Sequence, residues 1–407
     1  MPNFRFLHAA DLHLDSPLKG LEADPAAPAE LIRGATRRAL GRLVDLAVEE
    51  KVDFVLIAGD IYDGDWPDFG TGLFFAAQMR RLTTSGIPVF VIRGNHDAAN
   101  RMTRSLRMPH VTIFDHERPH THHLEALGVA IHGQSFANQA EQNDLSQHYP
   151  PPDRNLFNIG LLHTSVEGYA AHARYAPCDL PRLKAHGYDY WALGHIHERQ
   201  ELCADPWIVF PGNLQGRHIG ETGPKGASLV TVTNRRVTVD HRTLDVLRWA
   251  HIQIDLDGAT DEAEALIRVQ SHLEAALQDA GPHPLAARVT LTGATNAHAA
   301  LSSEGLREKI LNEAHGEHRL WLESVKLRTR PLSRPDNAPH PDNLTRLLTE
   351  IDLLASAPPP NLLGDWPAVL LGKLRDALPA DHPLHANPTA ILEQAKHRLE
   401  AALTSLT

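Results

Sequence analysis

The sequence predicts an α/β protein built on two sheets packed face to face, with helices outside. A smaller α/β unit and terminal helices follow. Three observations carry this. Strands and helices alternate early, a β-rich stretch comes next, and the texture changes after about Leu247.

FRFLHAA opens the chain as a strand. Residues 29–51 have helical periodicity, with Leu31, Leu40, Leu43, Val44 and Ala47 apolar. The strand DFVLIAG, a helix over 73–83 and the strand PVFVIRG complete the alternation. The β-rich stretch reads VTIF, GVAIHGQ, NIGLLHT, YWALGH, PWIVFPG, ASLVTV and RVTVDHRTL. Beyond it, HIQIDLDG, a helix over 260–280, ARVTLTG, a helix over 303–314 and LWLESVKLRT form a β-α-β-α-β unit. PLSRPDNAPHPD reads as a linker, because Pro, Asn and Asp favour turns over regular elements. Amphipathic helices come last, with Leu344, Leu347, Leu348, Ile351 and Leu354 on one face and Leu392, Ala395, Leu399, Ala402, Leu403 and Leu406 on another. The expected domains are 1–246, 247–331, a linker at 332–342 and a helical region at 343–407.

Composition narrows the function. The chain of 407 residues is too long for one typical core. No run of about 18 apolar residues predicts a membrane span. MPNFRFLHAADLHL lacks a basic-then-apolar leader, so a cytoplasmic protein is expected. Cys178 and Cys203 are the only cysteines, and they form neither a disulfide framework nor a Cys-x-x-Cys motif. The net charge of −11 argues against bulk electrostatic binding of nucleic acid, so such binding would be local, metal-assisted or shared with a partner. With 27 histidines in the chain, a lone histidine carries little meaning.

Ordered histidines carry more. Asp11-Leu12-His13, Gly59-Asp60 with Asp63, Gly94-Asn95-His96-Asp97, His163 and Gly194-His195-Ile196-His197 each end a predicted strand. Carboxyl ends of neighbouring strands share a crevice, where open α/β sheets place their sites. On an extended chain, Asp11 and His13 would point the same way, as would His195 and His197. Each piece has a bland reading: Asp60 as a helix cap, Asn95 as a turn residue, His163 as a core histidine. The ordered set has none. Two Asp carboxylates, one Asn carbonyl and four imidazoles exceed the four ligands of a structural zinc. They suit two divalent ions sharing a carboxylate, and without thiolates Mn²⁺, Fe²⁺ or Zn²⁺ is favoured.

The motifs DLH, GDIYD, GNHD, LLHTS and GHIH, in that order, resemble the calcineurin-like metallophosphoesterase superfamily. HAADLHLD is similar to the SbcD-type DNA repair exonucleases, and GNLQGRHIGETGPKG, residues 212–226, to their YhaO-like branch. The resemblance implies a double β-sandwich flanked by helices. It implies one metal on Asp11, His13, Asp60 and His197, and a second on Asp60, Asn95, His163 and His195. His96 is left as the general acid, Asp63 as the acceptor that orients it, and Asp97 as a structural residue of the turn. The implied activity is a Mn²⁺-dependent DNA exonuclease in repair, hydrolysing phosphodiester bonds with a metal-activated water. The region 247–331 would be a capping domain. The implied partners are DNA, an SMC-like ABC ATPase of the SbcC/YhaN kind bound through the C-terminal helices, and a second copy in a homodimer, with no membrane.

Arg217 and His218 are candidates to meet a substrate phosphate, although His218 reads equally well as a residue supporting the metal ligands from behind. So are Arg101 and Arg104, which with Arg107 would line one helical face, although a solvated charge row reads equally well. Tyr62, Trp66 and Phe69 read as packing residues before they read as base-stacking ones. Two other functions share the same ligands: a phosphatase or phosphodiesterase of nucleotides and other small phosphoesters, and a non-catalytic metal-bound scaffold regulating an ATPase.

Overall fold

The computed structural model describes residues 3–21, 34–63, 69–99, 108–109, 111–166, 176–302, 305–313, 319–332 and the single positions 349, 352, 353 and 397. The chain divides into two compact units, Met1–His251 with Leu277–Arg288 and His318–Glu323, and Ile252–Ala276 with Val289–Glu317 and Ser324–Thr407.

The first unit holds two six-stranded sheets. In one, β1 (Asn3–Ala9), β2 (Phe54–Ala58), β3 (Val89–Ile92) and β4 (Val111–Ile113) run parallel. β11 (Gly226–Thr233) joins antiparallel to β1, and β12 (Arg236–Thr243) joins antiparallel to β11 at the edge. The other sheet has the order β5 (His120–Leu124), β6 (Val129–Gly133), β7 (Phe157–His163), β8 (Tyr190–Gly194), β10 (Trp207–Phe210) and β9 (Gln200–Ala204). Its four central strands are parallel and its two edge strands antiparallel.

Alternate residues face opposite ways along a strand, which explains the two layers of apolar packing. Phe4, Phe6, Phe54, Leu56 and Phe90 pack between the sheets against Val129, Ile131, Phe157, Ile159 and Tyr190. Phe6 stacks on Phe54 with ring centroids 4.9 Å apart, and Tyr190 meets Phe6 edge-on at 5.3 Å. The intervening residues Leu7, Ala9, Val55, Ile57, Val89 and Val91 face outward. They are covered by Leu40, Leu43, Val44 and Ala47 of α1 (Ala35–Glu49) and by Phe75, Met79 and Leu82 of α2 (Gly70–Thr84). On the second sheet Leu162, Trp191, Leu193 and Phe210 pack with Leu183 of α4 (Leu180–Ala185); α3 (Asn95–Ala99) is a single short helix after β3.

In the remaining chain, β13 (Arg248–Asp255), β14 (Leu285–Thr295) and β15 (Leu320–Pro331) form a three-stranded sheet. The helices are α5 (Glu262–Ala280), α6 (His298–Leu301) and α7 (Leu306–Glu313). α5 buries Ala265, Val269 and Leu273, one face at helical spacing. The amphipathic helices expected over 343–407 lie outside the described residues apart from single positions. Among the described residues no helix is long and apolar enough to cross a membrane.

Buried histidines make this fold acid-sensitive. His8 Nε2–H donates to the Leu193 carbonyl (3.0 Å), so Nδ1 accepts from the Tyr190 hydroxyl (3.0 Å). Burial lowers its pKa from 6.5 to about 3, against that carbonyl bond. The folded form is therefore neutral, while the unfolded chain takes up a proton below 6.5. Stability is full above that pH and is lost as pH falls from 6.5 towards 3, by about 1.4 kcal/mol per unit. Urea melts in chelator at pH 7.5 and pH 5 check this. The stability lost between the two should be about 2 kcal/mol smaller in His8→Gln than in the wild type.

Candidate metal centre

Five strand ends of the two sheets meet at one place. The sequence reading put Asp11 and His13 on an extended segment, and the structure corrects this. β1 ends at Ala9, and the chain beyond it turns left-handed at Asp11 (φ 52°) and His13 (φ 41°). Asp60 (φ 51°) and His195 (φ 108°) also take positive φ, again just past a strand. L-residues adopt such angles at a cost of order 1–3 kcal/mol, and surrounding structure must hold them there. Asp11 N–H donates to Gly59 O (3.0 Å) and His13 N–H to Asp60 O (3.0 Å), which ties the first motif to the second. The Asp11 carboxylate accepts the His195 N–H (3.0 Å to Oδ2), which ties in the last motif.

Asp97 locks the remaining turn. Its carboxylate accepts from Gly94 N (3.0 Å), Ile61 N (3.0 Å) and Tyr62 N (3.1 Å), so it joins the turn after β3 to the loop after β2. Its neighbour His96 donates its own backbone N–H to Asp60 Oδ1 (3.0 Å).

Among the described residues, three sets of side chains each bring potential ligand atoms within 4.8 Å of one another: Asp11, His13 and His197; Asp60, His163 and His195; and His13, Asp60 and His96. The first two bring together Asp11, His13 and His197 of one group named from the motifs and Asp60, His163 and His195 of the other, and Asn95 Oδ1 lies 3.1 Å from His163 Nε2. Asp60 Oδ2 lies between them, 3.9 Å from His13 Nε2 and 3.6 Å from His163 Nε2. His96 adds only itself to the third set, and its side chain is 35% exposed where His13 and His163 are buried.

The chemistry of these donors fits divalent cations. His163 Nδ1–H donates to Ala58 O (2.8 Å), which leaves a lone pair on Nε2 facing the Asn95 oxygen and Asp60. His197 Nδ1–H donates to Glu221 Oε1 (2.7 Å), which leaves its Nε2 lone pair 3.1 Å from His13 Nε2. Burial, then in the case of His13 the Arg217 charge, lowers the pKa of His13 and His163 to about 3; burial also lowers that of His197. All three are therefore neutral at physiological pH, as ligation would require. Burial and the Asp60 charge push the Asp11 carboxyl well up, so a charged Asp11–Asp60 pair needs a cation beside it. Imidazoles whose second nitrogen is pinned by a carbonyl or carboxylate are the usual dress of metal-ligating histidine.

Asp63 does more than the sequence reading gave it. Its Oδ1 is 3.5 Å from His96 Nδ1, but also 3.4 Å from His13 Nδ1 and 3.4 Å from Arg217 Nη1, while Oδ2 accepts from Ser16 Oγ (2.7 Å). Burial opposes its ionisation, yet His13, Ser16 and Arg217 hold it well below the usual carboxylate range. Arg217 is mostly buried and engaged with Asp63 and Glu221, whereas His218 is half-buried, with Nε2 3.4 Å from Glu221 Oε1. Arg101 and Arg104, with Arg107 and Trp66, lie outside the described residues. Tyr62 is buried edge-on to Phe75 at 5.9 Å, as a packing residue would be, and Phe69 is exposed.

Sequence reasoning missed Glu221 and Lys225. Both are buried, and Lys225 Nζ donates to the His197 carbonyl (2.9 Å). The available signal was a glutamate inside residues 212–226, together with the need of each ligating histidine for an acceptor.

Residues 4–199 match the calcineurin-like phosphoesterase family, and residues 249–330 match the middle domain of metallophosphoesterase YhaO. An uncharacterized metallophosphoesterase YhaO of Bacillus subtilis is 33% identical over 357 residues, 85% of each chain. A DNA double-strand break repair protein Mre11 of Haloferax volcanii is 28% identical over 256 residues, 60% of this chain and 54% of that protein. Among solved structures, a dimetal phosphatase from Danio rerio aligns with TM-score 0.39 and 14% identity, over 60% of this chain and 97% of that one.

Proposed function

The chain belongs to the calcineurin-like metallophosphoesterase family, in its YhaO-like branch, and on that premise we propose that this metal-dependent hydrolase is a DNA nuclease. The observation that carries the reading is the pair of candidate ligand groups about Asp60, with the partly exposed His96 beside them. What favours DNA over a small phosphoester is the HAADLHLD and 212–226 stretches and the similarity to Mre11 proteins over 60% of the chain. Mn²⁺ is the proposed metal, on the thiolate-free mix of N and O donors.

Two divalent ions in such a site neutralise phosphoryl oxygens and bring the pKa of a water towards neutrality. The protein's own residues do the rest. Asp11 and Asp60 supply the negative charge that retains cations, and the neutral Asn95 carbonyl adds a ligand without repelling a phosphate. Asp63 Oδ1 stands 3.5 Å from His96 Nδ1, placed to hold a proton on that nitrogen and leave Nε2 for the substrate. The Nε2 proton passes to the leaving oxygen as the phosphorus–oxygen bond breaks.

The test uses end-labelled linear duplex DNA beside bis-p-nitrophenyl phosphate, with Mn²⁺, for wild type and His96→Ala. The variant should keep its metals and lose about 10²- to 10⁴-fold on DNA. It should lose far less on the small diester, whose leaving phenolate needs no proton. Wild-type cleavage of the diester alone would sink the DNA assignment and favour small phosphoesters. Equal loss on both substrates would sink the acid role.

The proposed partner is an SMC-like ABC ATPase, supported by the amphipathic spacing within 343–407. Pull-down of tagged protein with and without residues 340–407 checks it; equal ATPase recovery would remove the idea.

A further inference from the structure

We infer that Glu221 is the positioning residue of this site, fixing a metal-ligating histidine with one oxygen and the backbone of its own loop with the other. The inference rests on the two-metal reading above and assigns Glu221 a part in it.

The hydrogen bonds leave the carboxylate little freedom. Oε1 accepts from His197 Nδ1 (2.7 Å) and Arg217 Nη2 (3.1 Å), and His218 Nε2 stands 3.4 Å away. Oε2 accepts from Asn213 Nδ2 (2.8 Å) and Arg217 N (2.7 Å). A carboxylate held from both oxygens cannot rotate, and it offers acceptors only. Glu221 Oε1 at 2.7 Å, closer to His197 Nδ1 than the Arg217 Nη2 donor at 3.2 Å, therefore holds the proton on Nδ1 and leaves the Nε2 lone pair to face His13 and Asp11. Without the acceptor, the imidazole is free to place its proton on Nε2. That atom then no longer ligates.

The consequence is unequal. Only the Asp11, His13 and His197 group depends on Glu221. The other group is oriented elsewhere, with His163 held by the Ala58 carbonyl. The Arg217 guanidinium spans Glu221 Oε1 and Asp63 Oδ1, and Asp63 faces His96. One carboxylate thus sets a ligand and, through an arginine, the acceptor that orients the acid. A carboxylate that merely held its loop would weaken both metal groups alike, or neither.

The experiment titrates metal-free wild type and Glu221→Gln with Mn²⁺, counting bound ions and recording electron paramagnetic resonance. Melting of the metal-free proteins is the folding control. The wild type should take up two ions that give the spectrum of an exchange-coupled pair. Glu221→Gln should bind one ion with unchanged affinity and the other about 10- to 100-fold more weakly. At intermediate Mn²⁺ its spectrum should be that of isolated ions. Glu221→Asp keeps the charge on a shorter arm and should weaken the same ion by less; it carries the test should the glutamine variant not fold. Two ions bound with wild-type affinities, or both weakened equally, would overturn the inference and leave the two-metal reading intact. A wild type that binds fewer than two ions would overturn that reading and this inference with it.

Discussion

Asp60→Asn is expected to reduce turnover by more than about 100-fold, the scale reached by losing an outer-shell partner alone. Its Oδ2 is the atom nearest both ligand groups, and asparagine keeps the shape while removing the charge. The backbone N–H of His96 still finds an acceptor at Oδ1, so the loop should hold. The two states of the protein should then respond with opposite sign. The Asp60 charge, after burial, pushes up the carboxyls of Asp11 and Asp97, so metal-free wild type bears a like-charge penalty. Removing it should raise the metal-free melting temperature by about 2–4 °C for each kcal/mol relieved. The added stability that Mn²⁺ gives the wild type should largely vanish. Differential scanning calorimetry with and without Mn²⁺ reads both. A metal-free variant that melts lower than wild type would show that the charge is balanced within the protein.

Gly94→Ala is the second large effect. A methyl group there would lie 2.7 Å from His163 Cε1 and 2.8 Å from Asp60 N, and would press on Asp60 Oδ1. None of these atoms can withdraw without moving a ligand. Overpacking of this kind costs about 1–3 kcal/mol, and metal affinity and turnover should fall together because both ligand groups are displaced. Gly41, in the interior of α1, is the control: nothing lies within 4 Å of its added methyl. Gly41→Ala should leave turnover unchanged and raise stability by about 0.5–1 kcal/mol, the helix cost of glycine. Chemical denaturation and metal titration of the two variants separate the cases.

These residues also mark how far the sequence could be read. The strands that carry ligands were legible because they are buried on both faces and read as unbroken apolar runs. The edge strand β5, His120-Thr121-His122-His123-Leu124, was not, since a half-exposed strand of polar residues carries no such signal. The candidate residues that the fold brings together were legible by their order along the chain, but their backbone was not. Positive φ at Asp11, His13 and His195 comes from hydrogen bonds to loops that are distant in sequence. Asp97 was read as holding its own turn, and its bonds to Ile61 and Tyr62 need the fold to be seen. Glu221 stood within a stretch already singled out, yet its importance lies in two oxygens shared among partners that only the fold brings together.

The ligands are divided between the two sheets, and that division sets a timetable. Asp11, His13, Asp60 and Asn95 follow β1, β2 and β3 and emerge first, supplying three of the four candidate ligands of one group and two of the four of the other; the first sheet itself is finished only later, by β11 and β12. His163, His195 and His197 arrive with the second sheet, 184 residues after the first carboxylate in the case of His195. Neither candidate group is complete until both layers have closed. Metal loading of such a site would therefore be a late event in the life of the molecule, after residue 197 has been made.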